Sequence, residues 1–329
     1  MSKKVAINGF GRIGRLTFRN LLKNPDIEVV AINDLTDNHT LAHLLKYDSA
    51  QGPFEGTVTA TDSTLIVNGK EIIASAERNP GDLPWAKLGV DVVLECTGIF
   101  TTKDKASLHI QAGAKKVILS APAKSEGFRS IVLGVNDKEL LDTDTLISNA
   151  SCTTNCLAPV AKIVVDNWGF VQGSLTTTHA YTADQNIQDA PHKDLRRARA
   201  AAYNIVPTST GAAIAVGKVV PEVQGKMFAM ALRVPVITGS LIELNFLSEK
   251  ETSVEEVNAK FKEMAEGPLK GILEYTEDPI VSADILRNPH SSIFDAGLTA
   301  VQGKMVKIVS WYDNEAGYSA RLADITDMV

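Results

Sequence analysis

The sequence predicts a doubly wound α/β domain followed by an α+β domain with a mainly antiparallel sheet. Three observations predict it. The first half alternates short Val/Ile/Leu-rich runs with helical stretches, the pattern of a parallel sheet covered by helices. The second half holds strands with one apolar and one wetter face, as in antiparallel sheets. A chain of 329 residues is also long for one hydrophobic core.

In order, Val5-Ala6-Ile7-Asn8 is a short apolar run, followed by glycines and a helical stretch from Arg12 to Lys23. Glu28 to Asp34, Val90 to Cys96 and Val117 to Leu119 read as further strands. Their near-continuous apolar character suits strands buried on both faces. The boundary is expected near Asn149-Ala150-Ser151, which gives a first domain of 1–150 and a second of 151–315. No Pro/Ser-rich linker, repeat or low-complexity tract separates them. Beyond it, Gly173 to His179, Phe228 to Val234, Ser240 to Phe246 and Met305 to Tyr312 read as strands. Ile242, Leu244 and Phe246 share one face of their strand. Ser253 and Glu256 have capping-box spacing, and Val254, Val257, Phe261 and Met264 form an apolar stripe that Gly267-Pro268 would end.

Composition excludes several classes. The chain is 44% apolar and 22% charged, as ordinary globular proteins are. Its net charge of −6 lacks the basic excess of a dedicated nucleic-acid binder. No run approaches the ~18 apolar residues that span a bilayer, and Met1-Ser2-Lys3-Lys4 leads into a strand with no secretory pattern. Nucleic-acid and membrane partners are therefore not expected. Three cysteines are too few for a disulfide scaffold and fit a reducing, cytoplasmic setting.

Gly9-Phe10-Gly11-Arg12-Ile13-Gly14 is a G-x-G-x-x-G motif. Glycines alone often only make turns. Here the motif follows a strand, opens a helix, and a second strand ends in Asp34 at about the ~20-residue spacing of a ribose-binding acid. This is the Rossmann-type pattern. Gly11 would let the backbone approach a pyrophosphate, and the helix dipole would favour the anion. Asp34 would accept from ribose hydroxyls and repel a 2′-phosphate, which predicts NAD over NADP. Otherwise Asp34 is a turn residue or helix cap.

Cys152 follows Asn149-Ala150-Ser151, a helix start. A thiol in a first helical turn feels the positive end of the dipole, which favours the reactive thiolate. Cys156, one turn on, reads as packing, and Cys96 as a core thiol. A Cys-x3-Cys pair without a second pair does not make a metal site, so none is expected. His179 ends a strand and could serve as the base, or be structural. His39, His43, His109, His192 and His290 read as surface or capping residues. His192 to Arg199 is the most basic stretch, and forked guanidinium groups suit phosphate. Thr208-Ser209-Thr210-Gly211 before a helix, and Arg233 at a strand end, are further anion candidates.

Together these residues resemble the phosphorylating aldehyde dehydrogenases of the glyceraldehyde-3-phosphate dehydrogenase family over essentially the whole chain. The stretches that carry the likeness are Asn8 to Arg15, Lys46-Tyr47-Asp48-Ser49, Ser148 to Pro159, His192 to Ala201, Pro207 to Ala213 and Trp311 to Glu315. The resemblance implies that Cys152 attacks the aldehyde of D-glyceraldehyde 3-phosphate and forms a thiohemiacetal. His179 would act as base, NAD would be reduced, and inorganic phosphate would cleave a thioester to give 1,3-bisphosphoglycerate. It places NAD against Gly9, Gly11, Arg12, Ile13, Gly14, Asp34, Arg78, Ser120 and Asn314. Thr182, Arg197 and Arg233 would hold the substrate phosphate. Ser151, Thr153, Thr210 and Gly211 would hold inorganic phosphate. It further implies a homotetramer, a loop from about Ala180 to Tyr203 at a subunit interface, and a C-terminal helix, 316–329, packed on the first domain. The chain departs from the family's frequent residues at Ile214, Ala316 and Ala190, none of which carries the chemistry. An erythrose-4-phosphate dehydrogenase shares the cysteine motif but differs at Pro207 to Gly211. An additional binding role is a further alternative; a cysteine hydrolase leaves the glycine motif and Asp34 unexplained.

Overall fold

The computed structural model describes residues 2–329. The chain divides into two compact units. Among the described residues, the first comprises 2–131, 138–150 and 319–329; the second comprises 132–137 and 151–318.

Among the described residues the first unit holds a nine-stranded sheet. Strand Lys3–Asn8 sits inside it, paired in parallel with Ile27–Asn33 on one side and Val92–Glu95 on the other. Val92–Glu95 continues in parallel to Lys116–Leu119 and then Leu146–Ser148. The chain order therefore reverses at the first strand, the topological switch point where doubly wound sheets bind ligands. One face buries Ala6, Ala31, Val93, Val117 and Leu119 against Trp85 and Ala106. The register aligns Asn8 with both Asn33 and Glu95, so three strand ends finish level with one another.

Two glycines set how the first strand turns into helix Arg12–Leu21. Gly9 has φ of +92°, a left-handed conformation that a side chain would strain. A Cβ on Gly14 would run into the carbonyl oxygen of Gly9. Gly11 differs: nothing lies within 4 Å of where its Cβ would be. At the other end of the sequence, Lys3 Nζ donates to the Thr326 and Asp327 carbonyls at 2.9 and 2.7 Å, and Asn24 donates to the Asp327 carboxylate at 2.9 Å.

The second unit holds a mixed, mainly antiparallel sheet whose spine runs Val206–Thr208, Met227–Val234, Gln172–Ala180, Ser240–Leu247, Met305–Tyr312, Ser292–Asp295 and Leu273–Thr276. Ser240–Leu247 alternates buried and half-buried residues along its whole length, with Ile242, Leu244 and Phe246 inside. Helix Val254–Glu266 begins where the capping spacing places it, with Glu256 N–H donating to Ser253 Oγ at 3.2 Å. Val257 and Phe261 are buried, and Phe261 stacks on Phe294 with ring centroids 4.1 Å apart.

Gly14→Ala should destabilise the protein by about 1–3 kcal/mol, the usual cost of forcing atoms into packed space. Gly11→Ala should cost under about 1 kcal/mol, since the added methyl meets open space. Urea unfolding of the two variants measures the difference, and equal losses would contradict the packing described.

Candidate active site

Cys152 is the first residue of helix Cys152–Trp168. Ser151 caps that helix, its Oγ accepting from Thr154 N–H at 3.1 Å. Just before it, Ala150 holds φ of +53°, an uncommon conformation for a residue with a Cβ. His179 lies on strand Gln172–Ala180, and its Nε2 stands 3.5 Å from Cys152 Sγ. Arg233 is the register partner of His179 on the neighbouring parallel strand. Its Nη1 lies 2.7 Å from His179 Nδ1 and donates to the Ala180 carbonyl at 3.1 Å. His179 Nδ1 is itself 2.7 Å from that carbonyl. Arg233 can only donate to Nδ1 and the carbonyl can only accept from it, so the two compete for that nitrogen; in the tautomer whose Nδ1 donates to the carbonyl, the Nε2 lone pair faces the sulfur.

Behind this pair stands a group the sequence reading did not single out. Tyr312 is buried, and its hydroxyl lies 2.9 Å from both Thr153 Oγ1 and Thr177 Oγ1. Its ring meets the His179 ring edge to face, with centroids 5.8 Å apart. Strand alternation marks Tyr312 only as a core residue, and nothing local foretells that two hydroxyls from a helix and a strand converge on it. Burial, followed by the charge of a Cys152 thiolate, pushes the Tyr312 hydroxyl well above its ordinary range. It therefore stays protonated and able to donate.

The electrostatics correct one expectation. The helix start was expected to favour thiolate, but burial pushes the Cys152 thiol above its ordinary value, and the charge of Arg233 and hydrogen bonds around Thr153 pull the other way without prevailing. Desolvation outweighs a half-charge at a helix end. Burial, then the Arg233 charge, likewise lowers His179 to about 3. The resting pair is thus a thiol beside a neutral imidazole. Arg233 is the one group that favours the charged sulfur and disfavours the charged ring.

The anion candidates divide. Arg233 joins the cysteine–histidine pair. Arg197 is engaged by Asp184 in an ion pair and donates from Nε to Thr208 Oγ1 at 2.9 Å, with Asp194 at 3.5 Å. Arg197 and Asp184 both act on the charge of Arg233. Thr210 accepts from Ala212 N–H at 3.2 Å, and Gly211, the N-cap of helix Ala212–Val219, has open space where a Cβ would be. Thr182 receives Gln185 N–H on its carbonyl, 2.9 Å away. Cys156 is buried against Ser292 Oγ at 3.4 Å, and burial lifts its thiol to about 12; Cys96, half-buried just past strand Val92–Glu95 rather than inside it, is raised to about 12 as well, by desolvation beside Ser120. Both are poor nucleophiles.

In the first unit, the residues fit a dinucleotide. Gly11 caps helix Arg12–Leu21 with no side-chain bond, and the first turn carries no acid. Its N–H groups and the open space above Gly11 suit an anion. Asp34 Oδ2 accepts from Phe10 N–H at 2.8 Å and Oδ1 from Thr36 N–H at 3.0 Å, so the carboxylate that directly follows strand Ile27–Asn33 shapes both turns. Arg12 is paired with Asp48. Ser120 follows the end of strand Lys116–Leu119, with its N–H on the Glu95 carbonyl at 3.0 Å. Among the described residues, no hydrogen bond or ion pair ties Arg78 to the loop. Asn314 belongs to the second unit, where Gly239 N–H and Ser240 Oγ donate to its Oδ1, while the Thr238 hydroxyl beside it donates to Asp313 Oδ1 at 2.7 Å. His109 departs from the surface or capping reading: it is fully buried, because Trp85 and Glu95 satisfy both ring nitrogens.

Two family descriptions match the chain. Residues 3–103 match "Glyceraldehyde 3-phosphate dehydrogenase, NAD binding domain", and residues 151–314 match "Glyceraldehyde 3-phosphate dehydrogenase, C-terminal domain". The glyceraldehyde-3-phosphate dehydrogenase of Geobacillus stearothermophilus is 59% identical over 327 residues, covering 99% of this chain and 97% of that protein. Proteins of the same name from Mycolicibacterium smegmatis and Mycobacterium tuberculosis are each 58% identical, over 337 and 336 residues, and cover all of this chain and 99% of their own.

Arg233→Met should move the pH midpoint of Cys152 alkylation upward and raise the His179 pKa from about 3. Iodoacetamide rates against pH, with histidine NMR, give both readings. A profile that stays in place would remove Arg233 from the electrostatics of the pair.

Proposed function

Because the chain belongs to the glyceraldehyde 3-phosphate dehydrogenase family, we propose that it oxidises D-glyceraldehyde 3-phosphate to 1,3-bisphosphoglycerate with uptake of inorganic phosphate. The observation that carries this reading is the Cys152 thiol 3.5 Å from His179 Nε2 at a helix start.

The chain's own residues then divide the work. Cys152 Sγ bonds to the aldehyde carbon while its proton passes by way of His179 Nε2 to the carbonyl oxygen, giving a thiohemiacetal. Nε2 next takes the hydroxyl proton, and a thioester remains on Sγ. NAD, when bound, supplies the acceptor for the hydride lost from that carbon. Inorganic phosphate adds to the thioester carbon, the C–S bond breaks, and Sγ recovers a proton from His179. The covalent intermediate splits one difficult step into two. A neutral imidazole is the form that can accept a proton, and burial with the Arg233 charge keeps it neutral.

Arg233, Arg197 and Thr182 are assigned to the substrate phosphate. The dianion would compete for Arg197 with the carboxylates of Asp184 and Asp194. Ser151, Thr153, Thr210 and Gly211 are assigned to inorganic phosphate. Support comes from the capped start of the Cys152 helix and the open N-terminus at Gly211. Gly9, Gly11, Arg12, Ile13, Gly14, Asp34, Arg78, Ser120 and Asn314 are assigned to NAD. The glycine N-cap at Gly11, which has no side chain to cap the first turn, supports the loop's part in this. In this reading 1–150 with 316–329 is the NAD-binding domain and 151–315 the catalytic domain.

A homotetramer and a cytoplasmic setting belong to the same proposal. Ile187, Leu195 and Tyr203, each at least 78% exposed, put three apolar side chains at the surface of the 180–203 loop that a neighbouring subunit would cover. Three free cysteines suit a reducing compartment.

NADH formation from glyceraldehyde 3-phosphate should require inorganic phosphate for sustained turnover, and Cys152→Ser should abolish it while NAD binding survives. Turnover independent of phosphate, or a Ser variant with near-normal rate, would refute the mechanism. Sedimentation should return about four times the mass of one chain, 35.3 kDa; a monomer at micromolar concentration would refute the assembly.

A further inference from the structure

We infer that Glu95 is a positioning residue for the dinucleotide site: a buried carboxylate that holds the Gly9 turn and the Thr97 turn in fixed relation. The inference rests on the NAD reading above.

Glu95 is 1% exposed, and it stands at the end of strand Val92–Glu95, level with Asn8. A buried carboxylate is costly unless fully hydrogen-bonded, and this one is surrounded by donors. Oε2 receives Asn8 Nδ2 at 2.6 Å and His109 Nε2 at 3.0 Å. Oε1 receives Thr97 N–H at 2.8 Å and, closer still, the Thr97 hydroxyl. The direction of the histidine bond is set from behind. Trp85 Nε1 can only donate, and it lies 3.0 Å from His109 Nδ1. Nδ1 therefore accepts, and Nε2 carries the proton that points at Glu95.

Both ends of this network reach the cofactor loops. Gly9 packs directly on the peptide that Glu95 holds: a Cβ on Gly9 would lie 2.7 Å from Thr97 N and 2.8 Å from the Cys96 carbonyl carbon. Asn8, immediately before Gly9, accepts at Oδ1 from Asn33 Nδ2 at 2.7 Å. Asn33, immediately before Asp34, in turn grips the Glu77 backbone at both its N–H and its carbonyl, 2.8 and 2.9 Å away, next to Arg78. One carboxylate thus anchors the segments that carry Gly9, Asp34 and Arg78. Glutamine at position 95 keeps the shape but turns an N–H₂ group toward at least one donor, so one contact becomes repulsive.

Calorimetric titration with NAD and with ADP-ribose, well below the unfolding midpoint, tests the assignment. Glu95→Gln should weaken both ligands by about tenfold, the scale of one charge-assisted hydrogen bond. Thr97→Val, which removes the hydroxyl that donates to Glu95 and accepts from Ile99 N–H at 3.1 Å, should weaken them by about threefold. Nitrogen NMR of His109 should show Nδ1 unprotonated in the unaltered protein. A folded Glu95→Gln protein with wild-type affinity would overturn the inference, because a merely structural role lowers the unfolding midpoint without changing the affinity of the folded state. If Glu95→Gln fails to fold, unchanged affinity in Thr97→Val overturns it instead. Failure of the unaltered protein to bind either ligand would overturn the NAD reading itself.

Discussion

The reactive pair depends on one alignment of backbone. His179 and Arg233 sit opposite each other because their strands run parallel in a single unbroken register from Gly173 to Ala180. Sliding one strand by a residue would turn His179 to the other face of the sheet. The helix that begins at Cys152 meets this strand end with its first side chain, and the Ser151 cap fixes where that first position falls. The chemistry is thus set by a strand register and a helix cap, both of which are local hydrogen-bonding choices.

Charge at this pair is governed by desolvation more than by any single partner. Burial leads the causes acting on Cys152, His179, Arg233 and Tyr312 alike. Each is pushed toward its neutral form except that an arginine does not yield its proton. One permanent cation therefore remains among groups driven neutral, and an arriving phosphate would meet it with little competing water.

Much of the architecture is legible from local pattern. The near-continuous apolar runs are parallel strands, the alternating run at Ser240 is a half-buried strand, and Ser253 caps its helix, because period and capping are properties of a few consecutive residues. Cys152 and His179 are legible as candidates for the same reason: one begins a helix and the other ends a strand. Their electrostatics are not legible. The dipole at a helix start can be read from sequence, while the amount of protein that surrounds the thiol depends on residues far along the chain. Tyr312 and His109 were missed on the same ground. Each is defined by hydrogen bonds to residues 14 or more positions away, Trp85 and Glu95 to His109 and Thr177 and Thr153 to Tyr312, and no local period encodes such partners.

Lys3 holds the carbonyls of Thr326 and Asp327, and residues 319–329 belong to the same compact unit as the first strand. Synthesis runs from the N-terminus. The segment that completes the first unit therefore leaves the ribosome after residues 151–318, long after the first unit's central strands. During translation those strands wait with one of their partners still unmade, while the second unit, nearly all of it continuous in sequence, can close earlier. Order of synthesis and order of completion are reversed for the two halves of this chain.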